Sequence, residues 1–471
     1  MTQPASAGQG DDLSVAIALS GGGHRATLFA LGALMYVVDA GKNRGTTSIA
    51  SVSGGSIANG FVAQTLDFQS VGSAEFEQRV ARPLASQIAQ RGTLFAPLAT
   101  TLYLIVLVVG FVGAWLPLWL LQAPAITRVL TFIAALLVWG WFVGLRGRVC
   151  ASALKATLFA PGGKATLLRN IATKVSHVFC ATELRAAESV YFGGDFVYGY
   201  PFGAGEPGDL SLYQAVQASA DFPGGFPPVR LPTKTHQFHP TSDESIRRTG
   251  DLVLSDGGVY DNMGEQWARG FAARAKRWSW LASHKVAPKQ LIVVNASARV
   301  PWTPYRLGRI PLLNEVIALL RVNGVMYINT TNVRRQEIIT NSEPDHPARK
   351  GELPGVLVQI AQTPFDVAEK FAKGRDDAAD RAKAVIQALG QGSRDEWKRI
   401  ANDNAAVATT LSKLGSDVSG RLLYQGYVVA MCNLHVIFGG PDGGEWPLLA
   451  VPRPGRFEEL TKDSGPATRM P

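Results

Sequence analysis

The chain has 471 residues, of which 46% are apolar, and it carries a formal net charge of +9. This length allows one large α/β domain with additions or two to three average domains, and the apolar content can fill a large core. The positive charge favours anionic partners. Phospholipid headgroups fit better than nucleic acid, because no Lys/Arg tract with interleaved aromatics, zinc-finger spacing or RNA-binding signature is present.

The N-terminal part predicts two strand–turn–helix units. Residues 1–12 are polar and indicate a disordered leader rather than a signal peptide. A short buried strand is predicted over 13–19, followed by a glycine turn and a helix over 26–40. The pattern repeats with a strand over 47–52 and a helix over 54–65. Two such units predict a parallel sheet with crossover helices.

A long apolar stretch follows. Two runs of 20 residues, 102–121 and 126–145, are joined by a short turn at 122–125. A helix of 20 residues is about 30 Å long, which matches one hydrocarbon thickness. The runs therefore predict a transmembrane hairpin inserted over 92–146. A buried hydrophobic hairpin or a re-entrant segment is the alternative, which the glycines and the proline of the first run would permit.

The charges around this hairpin predict its orientation. Arg91, Arg146, Arg148 and Lys155 flank its outer ends, whereas Arg128 alone lies near the turn. Positively charged loops stay on the cytoplasmic side of a membrane. Both outer ends, and with them the rest of the chain, are predicted to be cytoplasmic.

Beyond residue 146 the α/β pattern resumes. Strands are predicted over 175–181, 252–254, 291–294 and 356–360, and helices over 211–220 and 262–278. Residues 366–438 indicate helices, with breaks near 390–393 and at Gly415. The tail from 441 to 471 is rich in Pro and Gly and is predicted to be irregular.

The segment Ser51-Val52-Ser53-Gly54-Gly55 contains the candidate nucleophile, Ser53. A strand that turns sharply into a helix raises one side chain above the sheet, and its neighbours must be small because the two backbones approach closely there. A Ser/Gly-rich loop without function is the alternative. Ser56 lies in the first helical turn, where a cap or packing role is expected.

Gly21, Gly22 and Gly23 follow the first strand and precede the first helix. Glycines in this position let backbone N–H groups converge on an anion, such as the oxyanion of an acyl-transfer reaction. A dinucleotide fingerprint is disfavoured because no acidic residue follows about 20 positions later. Arg25 either supports the oxyanion or a phosphate, or pairs with a carboxylate. His24 lies too close to the glycines to serve as a freely aimed catalytic base.

Asp256 ends a predicted strand and is followed by Gly257 and Gly258. At the same edge of the sheet as Ser53, its carboxylate would accept the serine proton. An ordinary Asp, with a pKa of about 3.9, is a weak base, but partial burial would raise that pKa. The alternative is a turn aspartate that bonds its own backbone, the role expected for Asp261. The remaining histidines form no motif, and a Ser-His-Asp triad stays open.

Together these segments resemble the patatin-like phospholipases. That family shows a glycine-rich G-G-G-x-R loop, a G-x-S-x-G elbow and a D-G-G/A motif in this order, which are found here as residues 21–25, 51–55 and 256–258. The runs 218–229 and 256–264 resemble it too, and the likeness covers about 13–90 and 150–300. Ser51 and Ala26 depart from the family's glycines.

The resemblance implies a patatin-like three-layer α/β sandwich with a mostly parallel central sheet. The hairpin interrupts this catalytic domain, which we expect over 13–91 and 147–362, and C-terminal helices follow over 363–440. It also implies a Ser53–Asp256 dyad, an oxyanion site at the three loop glycines, and Gly54, Gly55, Gly257 and Gly258 as motif glycines. No cofactor or metal is expected.

The expected function is that of a two-pass membrane-anchored serine acyl hydrolase, with its catalytic domain in the cytoplasm. Its expected substrates are the acyl esters of glycerophospholipids or lysophospholipids, and its partners are the bilayer and its lipids. A neutral-lipid lipase, a thioesterase, or a non-catalytic lipid-binding membrane adaptor is the alternative. Head-group preference, sn-position and oligomeric state stay open.

Overall fold

One central sheet of ten strands organises the computed structural model, which describes residues 13–160, 163–171, 174–239, 250–297, 313–341, 353–440 and 445–462. The strands are β1 (Val15–Leu19), β2 (Thr46–Ser51), β3 (Ser176–Glu183), β4 (Glu188–Phe192), β5 (Val197–Gly199), β6 (Gly203–Gly205), β7 (Val229–Pro232), β8 (Asp251–Asp256), β9 (Gln290–Asn295) and β10 (Gly355–Gln359). Their order is β10-β9-β1-β2-β3-β4-β5-β6, with β8 beside β3 and β7 beside β8. The strands from β10 to β3 are parallel, as predicted, and the others pair in antiparallel fashion.

Helices cover both faces of this sheet. They are α1 (Gly23–Asp39), α2 (Gly54–Thr65), α3 (Ser73–Phe76), α4 (Arg82–Gln90), α5 (Leu98–Leu120), α6 (Ala125–Gly144), α7 (Arg146–Leu154), α8 (Leu212–Ala220), α9 (Gly258–Asp261), α10 (Gln266–Arg269), α11 (Phe271–Arg277), α12 (Ser279–His284), α13 (Leu313–Asn341), α14 (Phe365–Phe371), α15 (Asp377–Leu389), α16 (Arg394–Ala406), α17 (Ser416–Phe438) and α18 (Pro454–Leu460). Alternate residues of β1 point to opposite faces. Ile17 packs in the cluster that contains α1 and α17, and Ala18 packs with Ile338 of α13.

The C-terminal helices pack into the same core as the strands. α17 lies along α1, and two glycines bring the helices together: a Cβ on Gly32 would lie 2.1 Å from the oxygen of Leu423, and one on Gly426 would lie 2.1 Å from that of Phe29. Asn433 of α17 also donates to the oxygen of Leu357 in β10. The region predicted over 363–440 is thus helical, and it completes the layer that covers β1.

Several elements differ from the sequence-based prediction. The helix predicted over 262–278 is divided at Gly270 into α10 and α11, and the helix α13 was not predicted. Strands β4 to β7 are short, which leaves little periodicity for a sequence to display. The tail predicted to be irregular contains α18, and the predicted leader, residues 1–12, lies outside the described residues.

The predicted hairpin forms two long helices, α5 and α6, which are long and apolar enough to cross a membrane by length and composition. Only Thr100 and Ala114 of α5 are buried, and no residue of α6 is. The two helices contact each other through polar groups, because Trp139 Nε1 donates to the oxygen of Leu107 at 2.8 Å and the Tyr103 hydroxyl donates to that of Phe142 at 2.8 Å. This exposure excludes the alternative of a hairpin buried in the core.

Candidate active site

The direction of two strands brings the serine and aspartate segments together on β3. β2 runs parallel to β3 and pairs Ser51 with Phe179, whereas β8 runs antiparallel to β3 and pairs Asp256 with Ala181. β4 pairs with one edge of β3, so β2 and β8 both lie on the other edge. Their C-terminal ends point toward each other and pair with β3 residues that are two positions, or about 7 Å, apart. Asp256 therefore lies near the Ser53 turn, although β8 is antiparallel to the parallel strands from β10 to β3.

Ser53 lies in the sharp turn between β2 and α2. Its backbone has φ 50° and ψ −118°, a conformation that L-residues rarely adopt and that costs on the order of 1–3 kcal/mol. The surrounding residues must be small: a Cβ on Gly54 would lie 2.0 Å from the oxygen of Gly23, and one on Gly55 would lie 2.6 Å from that of Leu19. The turn therefore presents the half-buried Ser53 side chain at the N-terminus of α2.

Asp256 is the last residue of β8 and is buried. Its carboxylate accepts a hydrogen bond from the N–H of Gly258 at 2.7 Å. Burial raises the pKa of Asp256 to about 6, and the Gly258 N–H and the nearby Ser53 hydroxyl lower that pKa only in part. Gly257 is required by close approach to β3, because a Cβ there would lie 2.3 Å from the oxygen of Cys180.

Ser219, at the end of α8, joins the two turns and was not singled out by the sequence. Its carbonyl oxygen accepts the N–H of Ser53 at 3.0 Å and the N–H of Gly257 at 3.2 Å. Its hydroxyl bonds that of Ser56 at 2.8 Å. A single backbone oxygen thus fixes the distance between the serine turn and the aspartate turn.

Ser51, which departs from the family's glycine, belongs to a buried polar cluster under the turn. Its hydroxyl donates to the oxygen of Val178 at 3.1 Å and accepts from Asn59 Nδ2 at 2.9 Å. Ser56 donates to the same hydroxyl at 3.0 Å. The hydroxyl that Ser51 adds has hydrogen-bond partners, so serine is accommodated in place of glycine. Ser56 packs beneath the turn, as predicted.

The loop glycines and the first residue of α2 surround Ser53. A Cβ on Gly21 would lie 3.3 Å from the Cβ of Ser53, but the Gly21 N–H donates to the oxygen of Asn262. Gly22 and Gly23 have φ values of 139° and 58°, which favour glycine. Among the described residues, the N–H groups of Gly22, Gly23 and Gly54 donate no hydrogen bond. Gly23 and Gly54 begin α1 and α2, where helix dipoles favour an anion.

Of the three loop glycines predicted as oxyanion donors, Gly22 and Gly23 have free N–H groups in the described structure, whereas Gly21 does not. Gly21 packs against Ser53, and its N–H donates to the oxygen of Asn262. Gly54, which was predicted only as a motif glycine, has a free N–H in the described structure. The signal was present, because the first N–H of a helix has no partner within that helix.

Arg25 does not occupy the position expected for phosphate or oxyanion support. Its side chain is 1% exposed. It donates from Nε to the oxygen of Ala296 at 3.0 Å, from Nη1 to that of Val407, and from Nη2 to the Thr409 hydroxyl. In the described part of the chain it pairs with no carboxylate, and burial lowers its pKa to about 10. Arg25 thus contacts the segment between α16 and α17, and its bonds are made to the protein.

Histidines take no part in the described contacts of Ser53 and Asp256. His24 is buried, and both of its ring nitrogens are used, by the oxygen of Ser412 and the hydroxyl of Thr93. His346 lies outside the described residues. Within the described ranges, no group of three or more His, Cys, Asp or Glu side chains has the arrangement of a metal site.

Asp221 is a second buried carboxylate near Asp256 and was not predicted. Its backbone oxygen accepts the N–H of Asp256 at 3.0 Å and the Ser255 hydroxyl at 3.0 Å. In the described structure neither of its carboxylate oxygens has a hydrogen-bond partner. Burial, and then the charge of Asp256, raise the pKa of Asp221 to about 7.

We expect Asp221→Asn to stabilise the protein at pH 8 but not at pH 4. A carboxyl whose pKa is raised from 3.8 to about 7 destabilises the folded state progressively as pH rises from about 4 to 7. The shift corresponds to at most about 4 kcal/mol. Denaturation of both proteins at the two pH values measures the difference. An equal change at pH 4 and pH 8 would contradict the assignment.

Comparisons with known proteins identify the family of the chain. The sequence pattern of the patatin-like phospholipases matches residues 17–266, just over half of the chain, including all three motifs. No curated protein matches the chain at a significant level. Among solved structures, the crystal structure of VipD from Legionella pneumophila is similar over 98% of this chain and 93% of that one, with 12% identity and a TM-score of 0.28. The chain belongs to the patatin-like phospholipases, a family of lipid acyl hydrolases.

Proposed function

We propose that this protein is a membrane-anchored serine acyl hydrolase that cleaves acyl esters of glycerophospholipids or lysophospholipids through a Ser53–Asp256 dyad. One observation carries the proposal. The Ser219 oxygen holds the Ser53 turn beside the Asp256 turn, and the Ser53 hydroxyl is near enough to lower the pKa of the buried Asp256 carboxylate. The N–H groups of Gly22, Gly23 and Gly54, where α1 and α2 begin, donate no bond in the described structure. Nucleophile, base and anion donors are the parts that acyl transfer requires.

The chemistry follows from these positions. Ser53 Oγ attacks the ester carbonyl while its proton passes to Asp256, and the negative charge on the former carbonyl oxygen is stabilised by the free N–H groups. Protonated Asp256 then returns the proton to the departing alcohol. Water attacks the acyl-enzyme and loses a proton to Asp256, which passes that proton to Ser53 Oγ as the bond to the acyl group breaks and the fatty acid leaves. A base with a pKa of about 6 suits both proton transfers near neutral pH.

The base of the hairpin supports a substrate that arrives from a bilayer. Arg146 Nε donates to the oxygen of Gly225 at 2.8 Å, and a Cβ on Gly147 would lie 3.1 Å from Pro227. This loop begins at Asp221, whose oxygen accepts the N–H of Asp256. The second helix of the hairpin thus ends beside the loop whose first residue, Asp221, bonds the proposed base, which supports a site close to the lipid surface.

The hairpin should cross the bilayer twice, with its turn outside the cytoplasm. Ser53 precedes the hairpin and Asp256 follows it, so a site that contains both residues requires an even number of crossings. The bias of Arg and Lys toward the outer ends favours a cytoplasmic catalytic domain. A reporter inserted at residues 122–125 is expected on the side of the membrane opposite to the catalytic domain. A cytoplasmic turn, together with release from membranes by carbonate, would contradict this topology.

Labelling with a fluorophosphonate tests the proposed function, because it requires an activated serine. Hydrolysis of phospholipid, lysophospholipid, triacylglycerol and thioester substrates then separates a phospholipase from a neutral-lipid lipase or thioesterase. A protein that binds vesicles but shows neither labelling nor hydrolysis would instead be a lipid-binding adaptor. A comparison of lipids from cells that express the wild type or Ser53→Ala identifies the natural substrate class.

A further inference from the structure

The segment between α16 and α17, residues 407–415, lies directly on the oxyanion loop, residues 21–25. A Cβ on Gly23 would lie 2.6 Å from the oxygen of Thr410, and the N–H of His24 donates to that same oxygen at 2.9 Å. We call residues 407–415 the strap. It lies well beyond the region that matches the family, which ends at residue 266.

Arg25 fixes one end of the strap. Its guanidinium donates to the oxygen of Val407 and to the hydroxyl of Thr409. A buried cation is costly unless its N–H groups are bonded. Because the strap supplies two of the acceptors and Ala296 supplies the third, loop and strap depend on each other for this charge.

His24 fixes the middle of the strap. A carbonyl oxygen can only accept, so His24 Nδ1 carries the proton that it donates to the oxygen of Ser412 at 2.8 Å. Nε2 then accepts from the hydroxyl of Thr93 at 3.0 Å. Burial lowers the pKa of His24 to about 4, so this neutral form persists at physiological pH.

Thr93 also binds the strap to the chain that leads into the hairpin. Its N–H donates to the oxygen of Leu411 at 3.0 Å, and α5 begins five residues later, at Leu98. Gly415 donates to the oxygen of Ala89 in α4. The strap therefore has direct hydrogen bonds both to the oxyanion loop and to the segment that leads into the first helix of the hairpin.

We propose that the strap sets the position of the Gly22 and Gly23 N–H groups, with His24, Arg25 and Thr93 as positioning residues. The inference rests on the proposed function, because it assumes that these N–H groups stabilise an oxyanion. Hydrogen bonds to a developing charge are most valuable in the transition state and depend steeply on geometry. Loosening the strap should lower kcat and leave KM almost unchanged.

Three conservative changes test the strap. Thr93→Val removes the hydroxyl that donates to His24. Thr410→Ala removes the hydroxyl that accepts the Ser412 N–H at 3.0 Å. Thr409→Val removes one acceptor of Arg25 at an exposed position. The matched control is Thr461→Val, a buried threonine whose hydroxyl donates to the oxygen of Glu458 and not to the strap or the loop. Turnover of a soluble short-chain ester and hydrogen exchange of the amides in residues 20–27 are measured for each.

We expect kcat to fall about tenfold for Thr93→Val and Thr410→Ala and less for Thr409→Val, with KM within about twofold and faster amide exchange in the loop. The control, Thr461→Val, should keep the kcat and the amide exchange rates of the wild type. Unchanged kcat with unchanged exchange would overturn the proposal, as would a rise in KM alone, which would make the strap a substrate contact. If the wild type hydrolyses no ester, the proposed function fails, whereas the exchange measurement still decides whether the strap holds the loop.

Discussion

Ser53→Ala is expected to abolish fluorophosphonate labelling and to reduce ester hydrolysis by about three or more powers of ten. The substitution removes the only oxygen that forms the acyl-enzyme, so what remains is the contribution of binding and of the oxyanion donors. The fold should survive, because Ser53 is half-buried and the change removes a single hydroxyl group. Labelling in membranes, followed by turnover of a phospholipid ester, measures both effects.

Ser56→Ala is the matched control for this experiment. Ser56 is buried below the turn, where it bonds the hydroxyls of Ser51 and Ser219. Its loss should lower stability by about 1–2 kcal/mol but leave most labelling and hydrolysis in the folded protein. Substantial turnover by Ser53→Ala would remove Ser53 from the reaction, and loss of labelling only in Ser56→Ala would transfer the role to Ser56.

Asp256→Asn is expected to lower kcat by about 10²–10⁴-fold, because an amide cannot accept the serine proton. In the wild type, kcat/KM should rise with pH and level off above a pKa of about 6, as Asp256 loses its proton. The asparagine variant should lack that rise. Rates on a soluble ester between pH 4.5 and 8, within the range where the protein stays folded, measure both.

Asp261→Asn separates the loss of a base from the loss of a structural carboxylate. Asp261 is buried, accepts the N–H groups of Met263 and Gly264 at 3.1 Å, and forms an ion pair with Arg334 at 3.0 Å. This variant should lower the melting temperature while the folded fraction keeps most of its kcat. A loss of kcat equal to that of Asp256→Asn, or a similar loss from a single histidine substitution, would replace the dyad with another arrangement.

The sequence by itself determined those parts of the site that depend on short stretches of chain. The serine turn is recognisable because Gly54 and Gly55 lie against Gly23 and Leu19, and no larger residue fits. The helix α2 begins and ends where predicted, at Gly54 and Thr65, since the turn and its apolar residues are contiguous. The hairpin is equally local, because length and composition alone predict two apolar helices.

Only the tertiary structure decided which of these groups interact. The sequence does not state that β8 is antiparallel to β3, and this direction is what brings Asp256 to Ser53. It also does not state that Asn262 occupies the Gly21 N–H, because the two residues are far apart in the chain. Which of several backbone donors stays free depends on neighbours that arrive by folding, and no local pattern records them.

Arg25 shows the same limit most clearly. Its spacing from the glycines suggests an anion contact, but Val407 and Thr409, about 380 positions later, take its N–H groups. The local sequence fixes the charge and its distance from the loop, whereas the packing of α17 against α1 brings the strap onto it. With Arg25 only 1% exposed, its guanidinium bonds the protein in this structure.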